Sequence, residues 1–88
     1  MNISVNRTFL KELAKLPAKE RRKVEKLLFV EVGNFTNLSQ IPNFQKLKGY
    51  RNYYKIRFGD YRAGLKYENN ILCFERILHR KDIYKVYP

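Results

Sequence analysis

Tyr53-Tyr54-Lys55-Ile56-Arg57-Phe58-Gly59-Asp60-Tyr61-Arg62-Ala63-Gly64-Leu65-Lys66-Tyr67 holds two runs of aromatic and branched residues on either side of a Gly-Asp pair. That is the pattern of a β-hairpin closed by a two-residue loop. The loop sets the register, placing Phe58 opposite Tyr61, Arg57 opposite Arg62, Ile56 opposite Ala63 and Lys55 opposite Gly64. Side chains alternate along a strand. Tyr54, Ile56, Phe58, Tyr61, Ala63, Leu65 and Tyr67 therefore share one face, a core face. Lys55, Arg57, Arg62, Gly64 and Lys66 share the other, which is cationic with a glycine gap. Opposed arginines destabilise a sheet by about 0.2–1 kcal/mol, and a sequence keeps such a pair most readily when an anion sits between them. The register thus points to a phosphate site.

The chain has 88 residues, enough for one domain spanning residues 1–88. With 44% hydrophobic residues, 7 Tyr and 6 Phe, it has the means to build a core and does not read as disordered. Nineteen basic residues against 8 acidic ones give a net charge of +11. On so small a body this implies a polyanionic partner, nucleic acid first and acidic protein second. The lone cysteine, Cys73, excludes a disulfide framework or a cysteine metal cluster and fits a reducing cytoplasm. No apolar run approaches the roughly 18 residues of a membrane span, and the N-terminus has no signal-peptide pattern.

Outward from the hairpin, Ile3-Ser4-Val5 reads as an edge strand and Asn6 as a helix N-cap. Phe9, Leu10, Leu13 and Leu16 recur at helical spacing over about ten residues. Pro17 separates this helix from a second, from Ala18 to about Val32. Val24, Leu27, Leu28 and Val32 form its apolar stripe; Lys19, Arg21, Arg22, Lys23 and Lys26 lie on its other face. Gly33-Asn34 closes that helix, and residues 34–43 read as a loop punctuated by Pro42. Gln45 to Asn52 leads into the hairpin and adds cations around one tight turn. Asn69-Asn70 makes a second hairpin turn into a last strand, Ile71 to Leu78. An unbroken register there puts Leu72, Phe74 and Leu78 on the core face, with Arg76 pointing coreward beside Ala63. Since an unpaired buried arginine is costly, a bulge near Glu75-Arg76 is expected. His79 to Pro88 reads as a short polar tail returning over the sheet. The expected architecture is α+β, two N-terminal helices packed on one face of a small antiparallel sheet.

The run Leu47-Lys48-Gly49-Tyr50…Tyr53-Tyr54-Lys55-Ile56-Arg57-Phe58-Gly59-Asp60-Tyr61-Arg62, followed by Leu78-His79-Arg80-Lys81-Asp82-Ile83-Tyr84, resembles the RelE/ParE superfamily of type II toxins. The resemblance covers the whole chain and implies the RelE-like microbial RNase fold. Its RelE branch implies an mRNA interferase, a ribosome-dependent endoribonuclease that needs no metal and no cofactor. RNA carries its own nucleophile, the 2′-OH, so catalysis needs a base, cations for the phosphate and an acid for the departing 5′-oxygen. The resemblance also implies an acidic, RelB-like antitoxin as partner in a hetero-oligomer, besides ribosome and mRNA. Its ParE branch implies the alternative, a gyrase inhibitor with no chemistry of its own.

Carried over residue by residue, the resemblance assigns the site to Lys55, Arg57, Arg62, Arg80 and Tyr84. Lys55 matches the strand lysine of the family, and its cationic neighbours favour a neutral, proton-accepting amine. Arg57 stands where the family often has a second lysine; an arginine keeps its proton and suits phosphate binding. The base is thus Lys55 or His79. Arg62 matches a phosphate-contacting arginine, Arg80 a tail arginine that steadies the transition state or the leaving group, and Tyr84 the tail tyrosine, which stacks on a base or passes a proton, with Tyr87 as the alternative. Lys46, Lys48, Arg51, Lys66, His79 and Lys81 are the further RNA-contacting candidates.

Overall fold

The computed structural model describes residues 1–88. Strand β1 (Asn2–Val5) leads into α1 (Arg7–Ala14) and α2 (Ala18–Lys26). Four further strands follow, β2 (Phe44–Lys46), β3 (Tyr53–Phe58), β4 (Tyr61–Glu68) and β5 (Ile71–His79), and a last helix, α3 (Arg80–Val86). The five strands lie in the order β1-β5-β4-β3-β2. All neighbours are antiparallel except β1 and β5, which run parallel. The fold is α+β as expected, with the N-terminal strand at one edge.

The β3–β4 register is the one the Gly59-Asp60 loop dictates, with Arg57 opposite Arg62 and Lys55 opposite Gly64. Gly59 takes φ +60°, which suits the first position of a primed turn. Asn69 and Asn70 both have positive φ, 54° and 63°, the pair a type I′ hairpin requires. Ile56, Phe58, Ala63 and Leu65 are buried in one core with Phe9, Leu13, Leu16, Val24, Leu27 and Leu28. Phe9 meets Phe74 edge-on with ring centroids 5.5 Å apart. Asn6 caps α1 by accepting from the Phe9 N–H at 2.8 Å. The second helix continues beyond Lys26 as a π turn (Leu27–Glu31) and a 3₁₀ turn (Val32–Asn34), which keep Leu27, Leu28 and Val32 buried.

Three elements differ from the expectation. Gln45 belongs to a short strand, β2, whose Phe44 stacks on Tyr54 at 4.7 Å; three residues are too few to show a period. The tail is not irregular but forms α3, held by one buried side chain, Ile83. Leu10 is 46% exposed rather than part of the core.

The bulge lies where Arg76 demands it. Gly64 is opposite Arg76 and Leu65 opposite Phe74, so Glu75 has no partner in β4. The extra residue brings Ile77, not Arg76, opposite Ala63 and into the core, and moves Leu78 out of the core to a half-buried place opposite Arg62. Arg76 does not enter the core beside Ala63. It reaches α1, where Nε and Nη2 donate to the Glu12 carboxylate at 3.0 and 2.8 Å. Glu12 Oε1 also accepts from the Ile77 N–H at 3.1 Å, beyond Phe74, where the pairing with β1 stops. One carboxylate thus seats α1 on the open edge of β5.

Glu12→Ala is expected to cost about 2 kcal/mol, because a charged acceptor and the partner of a backbone N–H go together. Arg76→Ala should cost less, since Glu12 keeps the Ile77 bond. Urea unfolding midpoints of the two variants check that order.

A cationic cleft as candidate nucleic-acid interface

The face of β3–β4 turned away from α1 and α2 carries the cations, and α3 closes over it. A cleft of about 200 Å³ results, lined by Asn43, Gln45, Lys55, Arg57, Arg62 and Tyr84. No carboxylate lines it. Gln45 arrives because β2 pairs it with Lys55, and Asn43 because a positive φ of 59° turns the chain just before β2; its amide donates to the Arg57 carbonyl at 3.4 Å. No three His, Cys, Asp or Glu side chains converge anywhere to hold a metal ion.

The opposed arginines settle differently. Arg57 projects outward and is exposed. Arg62 folds back, its Nη1 donating to the carbonyls of Gly59 at 2.7 Å and Tyr61 at 3.0 Å. Carbonyl dipoles therefore hold one charge of the pair, and relieve part of the repulsion, while the other faces solvent. Lys55 Nζ donates to the Tyr84 hydroxyl at 3.1 Å. Partial desolvation pushes the Tyr84 phenol up, but hydrogen bonds and charge from Lys55 and Arg62 together outweigh it and leave the phenol below its usual pKa. Tyr84 is 54% exposed, so its ring and acidified hydroxyl stay open to a ligand.

Tyr87 takes the glycine gap. A Cβ on Gly64 would lie 2.6 Å from two atoms of the Tyr87 ring, so only glycine admits the ring there. The Tyr87 hydroxyl donates to Glu75 Oε1 at 2.8 Å, and the ring meets Tyr53 edge-on at 5.8 Å. Burial, then the Glu75 carboxylate, push this phenol far above its usual pKa. Tyr87 anchors the end of α3; Tyr84, one turn earlier, reaches the cleft.

Other candidates lie outside it. His79 caps α3, its Nδ1 accepting from the Lys81 N–H at 3.1 Å, and packs edge-on against Tyr61 at 5.4 Å. Arg80 sits at the Gly59-Asp60 turn, where its N–H donates to the Asp60 carbonyl at 2.8 Å and its Nε lies 3.9 Å from the Asp60 carboxylate. Lys81 is exposed on the first turn of α3, and Lys46, Lys48 and Arg51 are exposed around the β2–β3 connection. Lys66 lies over the Tyr53 ring at 5.5 Å and beside Glu68 at 3.7 Å.

Residues 3–84 match the family model described as ParE toxin of the type II toxin-antitoxin system parDE. The chain is 38% identical over 89 residues to the toxin RelE3 of Methanocaldococcus jannaschii, with all of both chains covered. The chain belongs to the RelE/ParE superfamily of type II toxins. It superposes on a crystal structure of the RelB-RelE antitoxin-toxin complex from Methanococcus jannaschii with a TM-score of 0.82 and 38% identity, over 97% of this chain and 99% of that one. YafQ from E. coli, at 21% identity and a TM-score of 0.70 over 94% of this chain and 97% of that one, shares the fold.

The toxin's two tail tyrosines should separate in a titration. Tyr84→Phe should remove the early part of the near-UV phenolate titration, and Tyr87→Phe the late part. Lys55→Met should delay Tyr84, since the cation favouring the phenolate is gone. The raised value of Tyr87 makes its contribution to stability complete below about pH 10, the ordinary phenol value, and lost as pH climbs further. Tyr87→Phe should flatten that alkaline loss, which melting curves across the alkaline range report.

Proposed function

We propose that this toxin is a ribosome-dependent, metal-independent endoribonuclease that cuts mRNA through its own 2′-OH. The observation that carries this reading is a single cleft in which Lys55, Arg57 and Arg62 face no carboxylate while Lys55 holds an acidified phenol, Tyr84, at 3.1 Å. Arg57 and Arg62 take the non-bridging oxygens of the scissile phosphate and stabilise the charge that builds there. Arg62 exchanges its carbonyl bonds for phosphate ones on binding. Lys55, acting as the neutral amine and lying in the cleft as His79 does not, takes the proton of the 2′-OH, whose oxygen attacks phosphorus; the ammonium so formed then favours the Tyr84 phenolate. As the bond to the 5′-oxygen breaks, that oxygen takes a proton from Tyr84, leaving a 2′,3′-cyclic phosphate and a 5′-OH. Arg80, Lys81 and His79 meet RNA at the rim, beside the Gly59-Asp60 turn.

Cleavage of mRNA on programmed ribosomes in the presence of chelator, with analysis of the ends, tests this. Arg62→Ala should lower the single-turnover rate by roughly 10²–10³, the scale of one lost transition-state donor, with little change in melting temperature, since two carbonyl bonds are lost as a repulsion is relieved. Tyr84→Phe should lower it by roughly 10²–10⁴. An inert wild type there that blocked gyrase supercoiling instead would favour the ParE-like reading, which the match to the ParE family model keeps in view.

The toxin's partner, on this reading, is an acidic antitoxin like the RelB bound to the archaeal relative. A +11 chain with an open phosphate site needs such a restraint. Leu10 and Phe29, 46% and 63% exposed, line one open concavity on α1 and the second helix and offer an amphipathic segment of the antitoxin an apolar surface. Co-expression with the adjacent acidic reading frame should relieve growth arrest, and Phe29→Glu should weaken the complex in a pull-down. A frame that gives no relief would remove this partner.

A further inference from the structure

The cationic face of β3 does not end at the cleft. Arg57, Lys55 and Tyr53 follow at every second residue, roughly 6.8 Å apart, and Tyr50 meets Tyr53 edge-on at 6.3 Å. Tyr50 stands on a tight turn, Leu47 to Tyr50, closed by its N–H donating to the Leu47 carbonyl at 3.3 Å. Gly49, at φ +84°, takes the third position, where a type II turn needs glycine. The base of this loop is braced by backbone bonds from Leu47 N–H to the Tyr53 carbonyl and from Tyr67 N–H to the Asn52 carbonyl, both 2.8 Å. Lys46, Leu47, Lys48, Gly49, Tyr50 and Arg51 line an open concavity of about 390 Å³. Tyr50 remains 52% exposed, and Lys46, Lys48 and Arg51 around it are exposed too. An open ring among cations that no acid of the loop neutralises offers a flat, anionic ligand both a stacking face and charge.

We propose that the Lys46–Arg51 turn is a second RNA subsite, in which an unpaired base stacks on Tyr50 while Lys46, Lys48 and Arg51 hold the flanking phosphates. Resting on the endoribonuclease reading, this places the bound strand along β3, its scissile phosphate between Arg57 and Arg62 and a neighbouring nucleotide at Tyr50. Stacking accepts any base, so the subsite adds affinity and holds the strand extended without choosing sequence. Tyr53 is the buttress: Lys66 covers its ring, and it fixes Tyr50 from the side.

The test uses the full chain without ribosomes and a short single-stranded RNA carrying a 2′-deoxy nucleotide at the cleavage position, so that binding is read without cleavage. Tyr50→Ala should weaken binding roughly 5- to 150-fold, the scale of one lost base stack, while Tyr50→Phe keeps it. The salt slope should be unchanged by Tyr50→Ala and reduced by about 0.7 by Arg51→Ala, the loss of one phosphate contact on a single strand. Abasic substitution throughout the RNA should weaken wild type more than Tyr50→Ala. Wild-type affinity in Tyr50→Ala, or no binding of the RNA by the wild type, overturns the subsite. Loss of binding in Tyr50→Ala beside an absence of cleavage on ribosomes would keep the subsite and sink the nuclease reading. Normal cleavage with unchanged Tyr50→Ala affinity would do the opposite.

Discussion

One extra residue in β5 governs the rest of the toxin. Unbroken pairing with β4 would drive Arg76 toward the core, and a guanidinium does not enter an apolar core without a partner. With Glu75 bulged out, the charges part. Arg76 reaches Glu12 and seats α1 at the sheet edge, while Glu75 accepts the Tyr87 hydroxyl and seats the end of α3 on the opposite face. One helix on each face of the sheet thus gains a polar anchor from these two adjacent residues, and Ile77 fills the core position that Arg76 vacates.

The second constraint is repulsion. Lys55, Arg57 and Arg62 share a small cleft with no acid in it. The free toxin accommodates them with neutral dipoles, two turn carbonyls for Arg62 and a phenol hydroxyl for Lys55. Such partners lower the self-energy of the cations without cancelling their charge, so the field that attracts a phosphate survives. The same arrangement explains the acidity of Tyr84: its phenolate would stand between two cations. A proton donor made stronger by the groups that bind the anion is well placed for a leaving oxygen.

The proposed partners fall on two faces of the molecule, RNA on the cationic face under α3 and at the Tyr50 turn, and an amphipathic antitoxin segment on the exposed apolar residues of α1 and the second helix. A RelE from Methanococcus jannaschii, 38% identical to this chain over 97% of its length, was crystallised with its RelB. A gyrase inhibitor has no evident use for a carboxylate-free cleft that holds a tuned phenol.

Local chemistry determined the hairpin. Gly59-Asp60 and Asn69-Asn70 permit tight turns that few other pairs permit, so the opposition of Arg57 and Arg62, the two faces of the sheet and the need for a bulge at Arg76 were all legible in the residues themselves. The α1 cap at Asn6 and the apolar stripe of the second helix were legible for the same reason, that each depends on neighbours in sequence. Tertiary structure decided what depends on distant neighbours. Phe44-Gln45-Lys46 becomes a strand only because β3 offers a free edge, which brings Asn43 and Gln45 into the cleft. The tail becomes a helix because Ile83 is buried and Tyr87 finds the space over Gly64. That anchor, rather than any local signal, chooses Tyr84 over Tyr87 for the cleft, turns His79 into a helix cap and leaves Arg80 at the hairpin turn.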